Sequence, residues 1–369
     1  MPRTSDHTFD GFYVGLISGT SADAIDAALL DIRAGQCRLM ADHTAPMDDA
    51  LHDAVLALCR PGDNEIERMA ALDMQLGDAF ADAALAVIAR AGLHAGDITA
   101  IGSHGQTIRH LPALHTTVQI GNADVIAQRT GIMTISDFRR RDMALGGEGA
   151  PLVPRFHQTA LAQSGRRRAV LNLGGIANLT ILDGDTLECG FDTGPANVLM
   201  DYWCRKHTGA RYDADGRWAR NGTVLPALLA SLLEDPYFAL PIPKSTGRER
   251  FNGAWLEARL EGDEAPADVQ ATLLALTART VADCLRDVKP DDLLACGGGA
   301  HNSALLEALA ASLPGVQVDT TSAHGAPADM VEASAFAWLA WAHLSGVEGN
   351  APQVTGARQG AILGARHLV

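Results

Sequence analysis

Apolar residues along the chain alternate between two spacings. Unbroken apolar runs bounded by glycine or polar turns predict buried β-strands, and apolar residues three or four positions apart predict helices packed on them. The predicted strands are 12–18, 25–32, 98–103, 117–120, 132–136, 168–174, 177–183, 292–296 and 316–319. The predicted helices are 65–92, 122–130, 194–207, 268–287, 302–313 and 329–345. This alternation indicates an α/β protein with helices on largely buried sheets.

Two stretches of the chain share one local pattern. Residues 13–32 read YVGLISGTSADAIDAALLDI and residues 168–183 read RAVLNLGGIANLTILD, so each is a strand, a small-residue hinge and a second strand. The likeness is either chance or the trace of two related lobes that each open with a hairpin directed at a shared cleft. A chain of 369 residues is long enough for two domains.

Composition narrows the class of protein. The net charge of −15, from 29 basic and 44 acidic residues, argues against a general nucleic-acid or anionic-membrane binder. The six cysteines are scattered without a CxxC pair, which predicts reduced thiols in a cytoplasmic protein. The N-terminal segment MPRTSDHTFDGFYVG lacks the apolar region of a signal peptide, and no apolar run approaches the ~20 residues of a membrane span.

Three glycine-rich hinges follow predicted strands, at Ser18–Ser21, Gly174–Gly175 and Gly297–Gly299. Glycine lets backbone N–H groups approach an anion closely, although each hinge alone is equally a tight turn. None carries the lysine of a P-loop or the GxGxxG of a dinucleotide fold. A helix capped by Asn302 or Ser303 follows the third hinge, and a helix N-terminus behind glycines suits a nucleoside or its phosphates. The three hinges together predict a nucleotide site.

Several polar clusters are candidates for chemistry on a second substrate. Asp192 precedes a predicted helix, where an acid can accept a proton, hold Mg²⁺ or simply cap the helix. The segment GSHGQTIRH, residues 102–110, is dense in donors and acceptors that suit a sugar or a surface turn. Arginines 139–141 and the segment PKSTGRERF, residues 243–251, form either anion-binding cleft edges or solvated charge runs. Glu332 faces the same cleft or complements a helix dipole.

Eight segments resemble, in the same order, those of the anhydro-N-acetylmuramic acid kinases. They are GLISGTSADAID, GSHGQTIRH, DFRRRDMALGGEGAPLVP, NLGGIANLT, GFDTGPANVLMD, PKSTGRERFN, CGGGAHN and MVEASAFAWLA, and they cover the chain from about residue 12 to residue 360. The resemblance implies the α/β, two-lobed, actin-like ATPase (ribonuclease H-like) fold of the sugar kinase and Hsp70 superfamily, with a central cleft between the lobes. It implies an N-terminal lobe of 1–138 and 346–369 and a C-terminal lobe of 139–345.

The same resemblance implies an activity and a set of site residues. The family uses ATP and Mg²⁺ to phosphorylate O6 of 1,6-anhydro-N-acetylmuramic acid while water opens the anhydro bridge, in peptidoglycan recycling. Asp192 matches the base that deprotonates the water. The residues implied for ATP are Gly19, Thr20, Ser21, Ala22, Asp23, Ala24, Ile25, Asp26, Gly174, Gly175, Asn178, Gly297, Gly298, Gly299 and Asn302. Those for the sugar are Ser103, His104, Gln106, Asp137, Arg139, Arg141 and Glu332, and those for Mg²⁺ through water are Asp23 and Asp26.

One position departs from the family pattern, and two other functions stay open. Ala24 stands where the family's first loop, GTSxDGxD, has glycine, and a left-handed backbone there would weaken ATP binding. The alternatives are a kinase of the same fold acting on an ordinary amino-sugar hydroxyl, and a non-catalytic sensor of ATP and sugar. A homodimer and closure of the lobes on binding are further expectations.

Overall fold

The computed structural model describes residues 9–19 and 21–369, which form two compact units. The first unit contains the described residues up to Ala160 together with Met330–Val369, and the second contains Leu161–Asp329. Each unit has its own β-sheet with helices, as the alternation of apolar spacings predicts.

The strands and helices of the described residues have the following bounds. The strands are β1 (Gly11–Ser18), β2 (Ala24–Arg33), β3 (Gln36–Pro46), β4 (Ile98–Leu111), β5 (Thr116–Ile120), β6 (Thr134–Ser136), β7 (Arg167–Leu173), β8 (Ile176–Asp183), β9 (Thr186–Pro195), β10 (Asp292–Cys296), β11 (Gln317–Thr320) and β12 (Ala365–His367). The α-helices are α1 (Asp49–Leu58), α2 (Glu65–Arg90), α3 (Ala123–Thr130), α4 (Arg140–Ala144), α5 (Pro154–Leu161), α6 (Asn197–Thr208), α7 (Pro226–Leu233), α8 (Gly253–Glu257), α9 (Pro266–Leu285), α10 (Ser303–Ser312), α11 (Val331–Ser345) and α12 (Pro352–Thr355).

The two sheets repeat one strand order. In the first unit the order is β12-β6-β4-β1-β2-β3, with β5 also paired to β4, and in the second it is β11-β10-β7-β8-β9. Each begins with an antiparallel meander of three strands, and each adds parallel strands beside the first strand of that meander. The likeness between residues 13–32 and 168–183 therefore reflects two sheets of the same topology and is not chance.

Helices pack on both faces of the first sheet. Val14 and Leu16 of β1 lie in an apolar cluster with Leu76 and Phe80 of α2. Gly15 lies between them in sequence, and successive strand residues point to opposite faces. A β-carbon on Gly15 would come within 1.9 Å of the Ala333 carbonyl oxygen, so α11 packs directly on the β1 backbone.

The compact units differ from the predicted lobes at two segments, because residues 139–160 and 330–345 belong to the first unit. Helix α11 covers the first sheet, where a β-carbon on Gly102 would meet the Phe336 carbonyl at 2.0 Å. Asp142 of α4 is fully buried and accepts hydrogen bonds from Asn350 and Thr355, both at 2.7 Å. The compact units therefore meet in the chain at 160/161 and 329/330, and α4 and α11 both belong to the first unit.

In the part of the chain that the structure describes, none of the helices combines the length and apolar character needed to cross a bilayer.

Candidate active site

The turn between β1 and β2 carries most of the first predicted phosphate loop. Ala22 donates its N–H to the Gly19 carbonyl at 3.1 Å, and its left-handed backbone (φ 55°) closes the turn. A β-carbon on Gly19 would meet nothing within 4 Å, and Ser21 is exposed, so this turn has an open side. Thr20 lies outside the described residues. The geometry leaves room for a ligand against the backbone of the turn.

Ala24 does not occupy a position that needs glycine. It is the first residue of β2 and pairs with Pro46, and among the described non-glycine residues of positive φ it is Ala22, not Ala24, that belongs to this turn. The condition under which alanine would weaken ATP binding is therefore not met. Ile25, the next residue, is buried opposite Ser18 and anchors the turn to the sheet.

The two acids of this hairpin have different surroundings. The Asp23 side chain is about half exposed, its carbonyl accepts the Met47 N–H at 2.9 Å, and His52 Nε2 lies 3.9 Å from its carboxylate. Asp26 lies within β2 and accepts a hydrogen bond from the Thr44 hydroxyl at 2.7 Å. Both carboxylates thus stand on the hairpin, with Asp23 the more accessible.

Gln106 braces the first turn. Its amide nitrogen donates to the Gly19 carbonyl at 3.3 Å and to the Thr107 carbonyl at 3.1 Å, because Gln106 lies beside Ser18 in the parallel pair of β1 and β4. Its Oε1 and the hydroxyls of Ser18 and Ser103 are buried without a hydrogen bond to any described residue. Buried polar atoms are rarely left unpaired, so this group marks a candidate ligand site where the end of β1 lies beside the middle of β4.

The hydrogen bonds of His104 define its tautomer. Nδ1 contacts the Gly105 carbonyl at 2.9 Å, and a carbonyl only accepts, so the proton is on Nδ1. Nε2 is then free to accept from Nε of Arg139, also at 2.9 Å. Burial and the Arg139 charge hold the pKa of His104 well below its ordinary value. His104 is therefore a neutral acceptor that orients Arg139.

Arg139 and Glu332 each influence the pKa of the other beside the first sheet. Burial lowers the pKa of Arg139 to about 10, against the opposing effects of Glu332 and Asp142, and its Nη1 donates to the Gly149 carbonyl at 2.8 Å. Glu332 is accessible to solvent, but the protein around it desolvates its carboxylate and raises its pKa; Arg139 opposes the rise and Asp26 adds to it. Ser103, His104, Arg139 and Glu332 thus belong to one electrostatic neighbourhood of the first unit.

Among the described residues, the side chains of Asp137 and Arg141 form no hydrogen bond or ion pair with the four residues of this neighbourhood. Asp137 has a left-handed backbone (φ 58°), and its carboxylate pairs with Arg140 at 2.6 Å. That ion pair occupies the carboxylate that was predicted for the sugar. Arg141 is exposed in α4, and its guanidinium makes no hydrogen bond or ion pair with a described residue.

In the second unit, the Gly174–Gly175 turn joins β7 to β8 and receives the start of α6. The Gly174 carbonyl accepts the Asn197 N–H at 3.1 Å, and the Gly175 carbonyl accepts those of Ala196 and Val198 at 3.0 and 3.1 Å. The turn is thereby fixed between a hairpin and a helix start.

Asp192 lies inside β9 opposite Asn178 of β8, so it is not the cap of the following helix, which begins at Asn197. Its Oδ2 accepts the Thr246 N–H at 3.0 Å and the Ser245 hydroxyl at 3.3 Å. Its own N–H donates to the Lys244 carbonyl at 2.9 Å. Sequence reasoning noted the segment 243–251 only for its positive charge and missed that its backbone holds this carboxylate.

The third glycine hinge packs against the second. A β-carbon on Gly297, which has φ 77°, would lie 2.4 Å from Oδ1 of Asn172, and one on Gly299 would lie 2.6 Å from Cβ of Leu173. Gly298 faces open space. Asn302 caps α10 by accepting the Leu305 N–H at 3.1 Å, which confirms one of the two predicted caps. The hinges at 174–175 and 297–299 therefore both lie at the end of β7.

Two sheets of one strand order, glycine turns at their strand ends and a strand-borne carboxylate held by backbone and hydroxyl donors are features that suit phosphoryl transfer in an α/β protein. The family model described as "Anhydro-N-acetylmuramic acid kinase" matches residues 11–368. The chain belongs to this family, and it is a kinase.

Individual relatives agree with that membership. An "Anhydro-N-acetylmuramic acid kinase" of Xanthomonas campestris pv. campestris (strain 8004) is 53% identical over 97% of this chain and 98% of its own length. One of Shewanella sp. (strain ANA-3) is 50% identical over 96% and 98%. A solved structure, the activator of the 2-hydroxyisocaproyl-CoA dehydratase from Clostridium difficile, covers 89% of this chain and 94% of its own at 13% identity, with a TM-score of 0.47.

Proposed function

We propose that this enzyme transfers the γ-phosphoryl group of ATP to O6 of 1,6-anhydro-N-acetylmuramic acid while water opens the anhydro bridge, in the recycling of peptidoglycan. Family membership over residues 11–368 supports the reaction. The observation that supports the mechanism is the position of the Asp192 carboxylate, which accepts hydrogen bonds from Thr246 and Ser245. Asp192 lies on β9, opposite Asn178 of the strand that follows the Gly174–Gly175 turn.

Asp192 is the proposed general base. A water molecule gives its proton to the Asp192 carboxylate as its oxygen bonds the anomeric carbon, C1. The C1–O6 bond then breaks, O6 bonds the γ-phosphorus, and ADP leaves with the electron pair of the broken phosphoanhydride bond. The products are N-acetylmuramic acid 6-phosphate, ADP and a proton. Two donors fix one oxygen of Asp192, which orients the carboxylate before the water arrives.

For ATP, we propose the backbone of the three glycine turns. Residues 19–26 and the Gly174–Gly175 turn with Asn178 would bind the phosphates, because glycine turns present N–H groups to an anion. Gly297–Gly299 and Asn302 would flank the adenosine, since Gly298 faces open space beside the N-terminus of α10.

For the sugar, we propose Ser103, His104, Gln106, Arg139 and Glu332. The unpaired hydroxyl of Ser103 suits a sugar oxygen, and the guanidinium of Arg139, oriented by neutral His104, suits the lactyl carboxylate. Asp137 and Arg141 also stay proposed, although Asp137 is paired with Arg140 and must exchange that partner to bind a sugar.

For Mg²⁺, we propose Asp23 and Asp26, acting through water. The described residues hold no cluster of three or more carboxylate, histidine or cysteine side chains that could bind a metal ion. Two carboxylates on one hairpin fit Mg²⁺, which keeps several waters and takes its remaining ligands from substrate phosphates. When bound, the ion would supply positive charge beside those phosphates.

The location and the partners follow from the substrates. We propose that the protein is cytoplasmic, where ATP is available, and that its partners are ATP and the amino sugar. A homodimer stays a prediction.

The test is ADP release with ATP and 1,6-anhydro-N-acetylmuramic acid, compared with N-acetylmuramic acid and glucosamine derivatives. The reaction is run in ¹⁸O-water, and the product is analysed for label. ADP formed only with the anhydro sugar, with ¹⁸O at C1, is the expected result. ADP formed with an ordinary amino sugar and no label would instead indicate direct phosphorylation of a hydroxyl. Binding of both ligands without ADP release would indicate a sensor.

A further inference from the structure

Each residue of the segment Lys244–Thr246, which is termed the strap, forms a hydrogen bond with Asp192. It accepts the Asp192 N–H through the Lys244 carbonyl and donates to the carboxylate through Thr246 and Ser245. A third attachment comes from Tyr237, whose hydroxyl donates to the Asp192 carbonyl at 2.8 Å. The strap and the Tyr237 hydroxyl thus fix both the backbone and the carboxylate of Asp192.

The strap is itself anchored on both sides. The Lys244 ammonium donates to the carbonyls of Tyr237 and Phe238 at 3.2 and 3.1 Å and lies 4.7 Å from the centre of the Tyr237 ring. After the strap, Arg250 pairs with Asp235, which is 6% exposed and also accepts the Trp255 indole N–H at 2.7 Å. Residues 247–249 lie between these two anchors in a hydrogen-bonded turn: the Gly247 carbonyl accepts N–H groups that follow it, and the Asn252 amide donates to the Arg248 and Glu249 carbonyls.

The Arg248 side chain extends from this turn to the Gly174–Gly175 turn. A β-carbon on Gly175 would lie 3.4 Å from Nη2 of Arg248 and 3.5 Å from its Nε, so the guanidinium lies against the turn backbone. Arg250 and Arg259 are both paired with Asp235, whereas the guanidinium of exposed Arg248 makes no hydrogen bond or ion pair with another described residue. The positively charged guanidinium of Arg248 therefore lies beside the Gly174–Gly175 turn, which is proposed to bind phosphate.

We propose that Arg248 is a catalytic residue that binds the phosphoryl group during its transfer, and that the strap fixes its position relative to Asp192. This inference rests on the proposed function and adds the cation that the reaction requires. Negative charge spreads over the three equatorial oxygens of the transferred group in the transition state. A guanidinium binds two of those oxygens at once, with a geometry that an ammonium lacks.

One segment thereby serves both halves of the reaction. Thr246 and Ser245 orient the carboxylate that takes the proton from water, and Arg248, two residues on, neutralises charge on the phosphoryl group. The groups that orient the base and the cation that binds the phosphoryl group are thus carried by one short segment of backbone.

The experiment compares wild type with Arg248→Ala, Arg248→Lys and a charge-matched control, Arg286→Ala. Arg286 is exposed at the end of α9 and pairs with Asp283. In Arg248→Ala we expect kcat for ADP release to fall about 100-fold or more, with KM for ATP and sugar changed less than about threefold. Arg248→Lys is expected between wild type and alanine, and Arg286→Ala equal to wild type.

Two readouts separate direct from indirect action. The acid limb of the kcat–pH profile should stay in place in Arg248→Ala, because Asp192 keeps its donors; a displaced limb would mean that the variant acts through Asp192 and would overturn the proposal. Calorimetry with ADP and with ADP plus aluminium fluoride, both with MgCl₂, should show that the alanine variant loses the tighter binding of the fluoride complex and keeps that of ADP.

Unchanged kcat with unchanged fluoride binding, or a raised KM for ATP alone, would also overturn the assignment. If wild type forms no ADP with the anhydro sugar, the proposed substrate fails. The fluoride comparison needs no sugar, so it then still decides the function of Arg248.

Discussion

At the scale of single residues, the structure gives Asp192 more fixed contacts than a proton acceptor alone requires. Thr246, Ser245 and Tyr237 hold its carboxylate and its carbonyl, so the group is positioned before any substrate is bound. His104 shows the same principle, since a neutral ring that accepts from Arg139 orients a charge without adding one. In both cases, hydrogen bonds orient a functional group in advance, which lowers the entropy cost of reaching the reactive geometry.

Replacing the proposed base tests the residue scale directly. Asp192→Asn keeps the size and most hydrogen bonds of the side chain but cannot take a proton from water, so ADP release should fall at least 1,000-fold, on the order of a lost general base. Steady-state kinetics measures the loss, and thermal unfolding checks the fold. Asp183→Asn, an exposed change at the end of β8, is the control. Turnover near the wild-type rate would refute the assignment of Asp192.

His157 makes stability depend on pH. It is 1% exposed, and burial lowers its pKa to about 3. The folded state keeps the ring neutral while the unfolded chain protonates it near pH 6.5, so stability is present above that pH and is lost as the pH falls. Between pH 7 and pH 5 this one group should lower the free energy of unfolding by about 2 kcal/mol.

Urea unfolding at the two pH values measures that change. His157→Gln cannot titrate, so it should lose about that part of the pH dependence, whatever its stability at pH 7. His115→Gln, at an exposed histidine, is the control. Equal pH dependence in His157→Gln and wild type would contradict the prediction.

At the scale of elements, close backbone packing between α11 and the first sheet sets where Glu332 stands. The helix begins at Val331, and its carbonyls at Ala333 and Phe336 approach β1 and β4 where Gly15 and Gly102 lack side chains. Glu332 is therefore held close to the part of the sheet that carries the polar candidates. A helix with a larger separation would move this carboxylate away from Arg139.

Gly102→Ala should separate α11 from the sheet. The new β-carbon would overlap the Phe336 carbonyl oxygen at 2.0 Å, and overpacking in a core costs about 1–3 kcal/mol or more. Urea unfolding measures the loss, and Gly96→Ala, where a β-carbon meets nothing within 4 Å, is the matched control. Equal stability of the two variants would show that the packing relaxes without strain.

Ala24→Gly tests the departure in the first turn. Because Ala24 lies in β2 and has no left-handed backbone, glycine there should lower stability by about 0.5–1 kcal/mol and leave KM for ATP unchanged. A KM for ATP several-fold lower than that of wild type would mean that the turn needs glycine after all.

At the scale of the whole molecule, the first unit is built from both ends of the chain. Helix α11 and strand β12 come from its last segment, and the second unit is inserted between them and the rest. The complete first sheet thus includes a strand that follows the entire second unit in the chain. Closure of the two lobes on binding stays a prediction, which X-ray scattering with and without nucleotide and sugar would test.

A chain ended after Asp329 should lose the fold of the first unit. It lacks α11, whose residues Phe336, Ala337 and Leu339 are buried, so apolar surface of the sheet would be exposed. Aggregation or rapid proteolysis of residues 9–160 is the expected result. A chain that lacks only Leu368 and Val369, which are 68% and 67% exposed, is the control and should fold as wild type. A protease-resistant first unit in the shorter chain would refute the prediction.

A helix or strand is predicted correctly from the sequence when its own residues show a clear apolar pattern. Helix α2, predicted as 65–92 and observed as Glu65–Arg90, has a long periodic apolar face. Strand β3 was missed because its residues alternate between exposed and half-buried positions and form no apolar run. Strand β9 was missed because its apolar residues are interrupted by Glu188, Gly190 and Asp192 and so form no continuous apolar run, although the segment pairs with β8.

The sequence by itself determined the alternation of strands and helices, the repeated hairpin, the family and the types of residue in the site. These depend on local spacing and on residue identity, which the chain carries wherever it folds. Only the tertiary structure decided which lobe holds α11, that the strap binds Asp192, that Ala22 rather than Ala24 has the left-handed backbone, and that Arg248 lies over Gly175. Each of the four is set by contacts of packing and hydrogen bonding, most of them between residues far apart in the chain, and such contacts leave no periodic trace in the sequence.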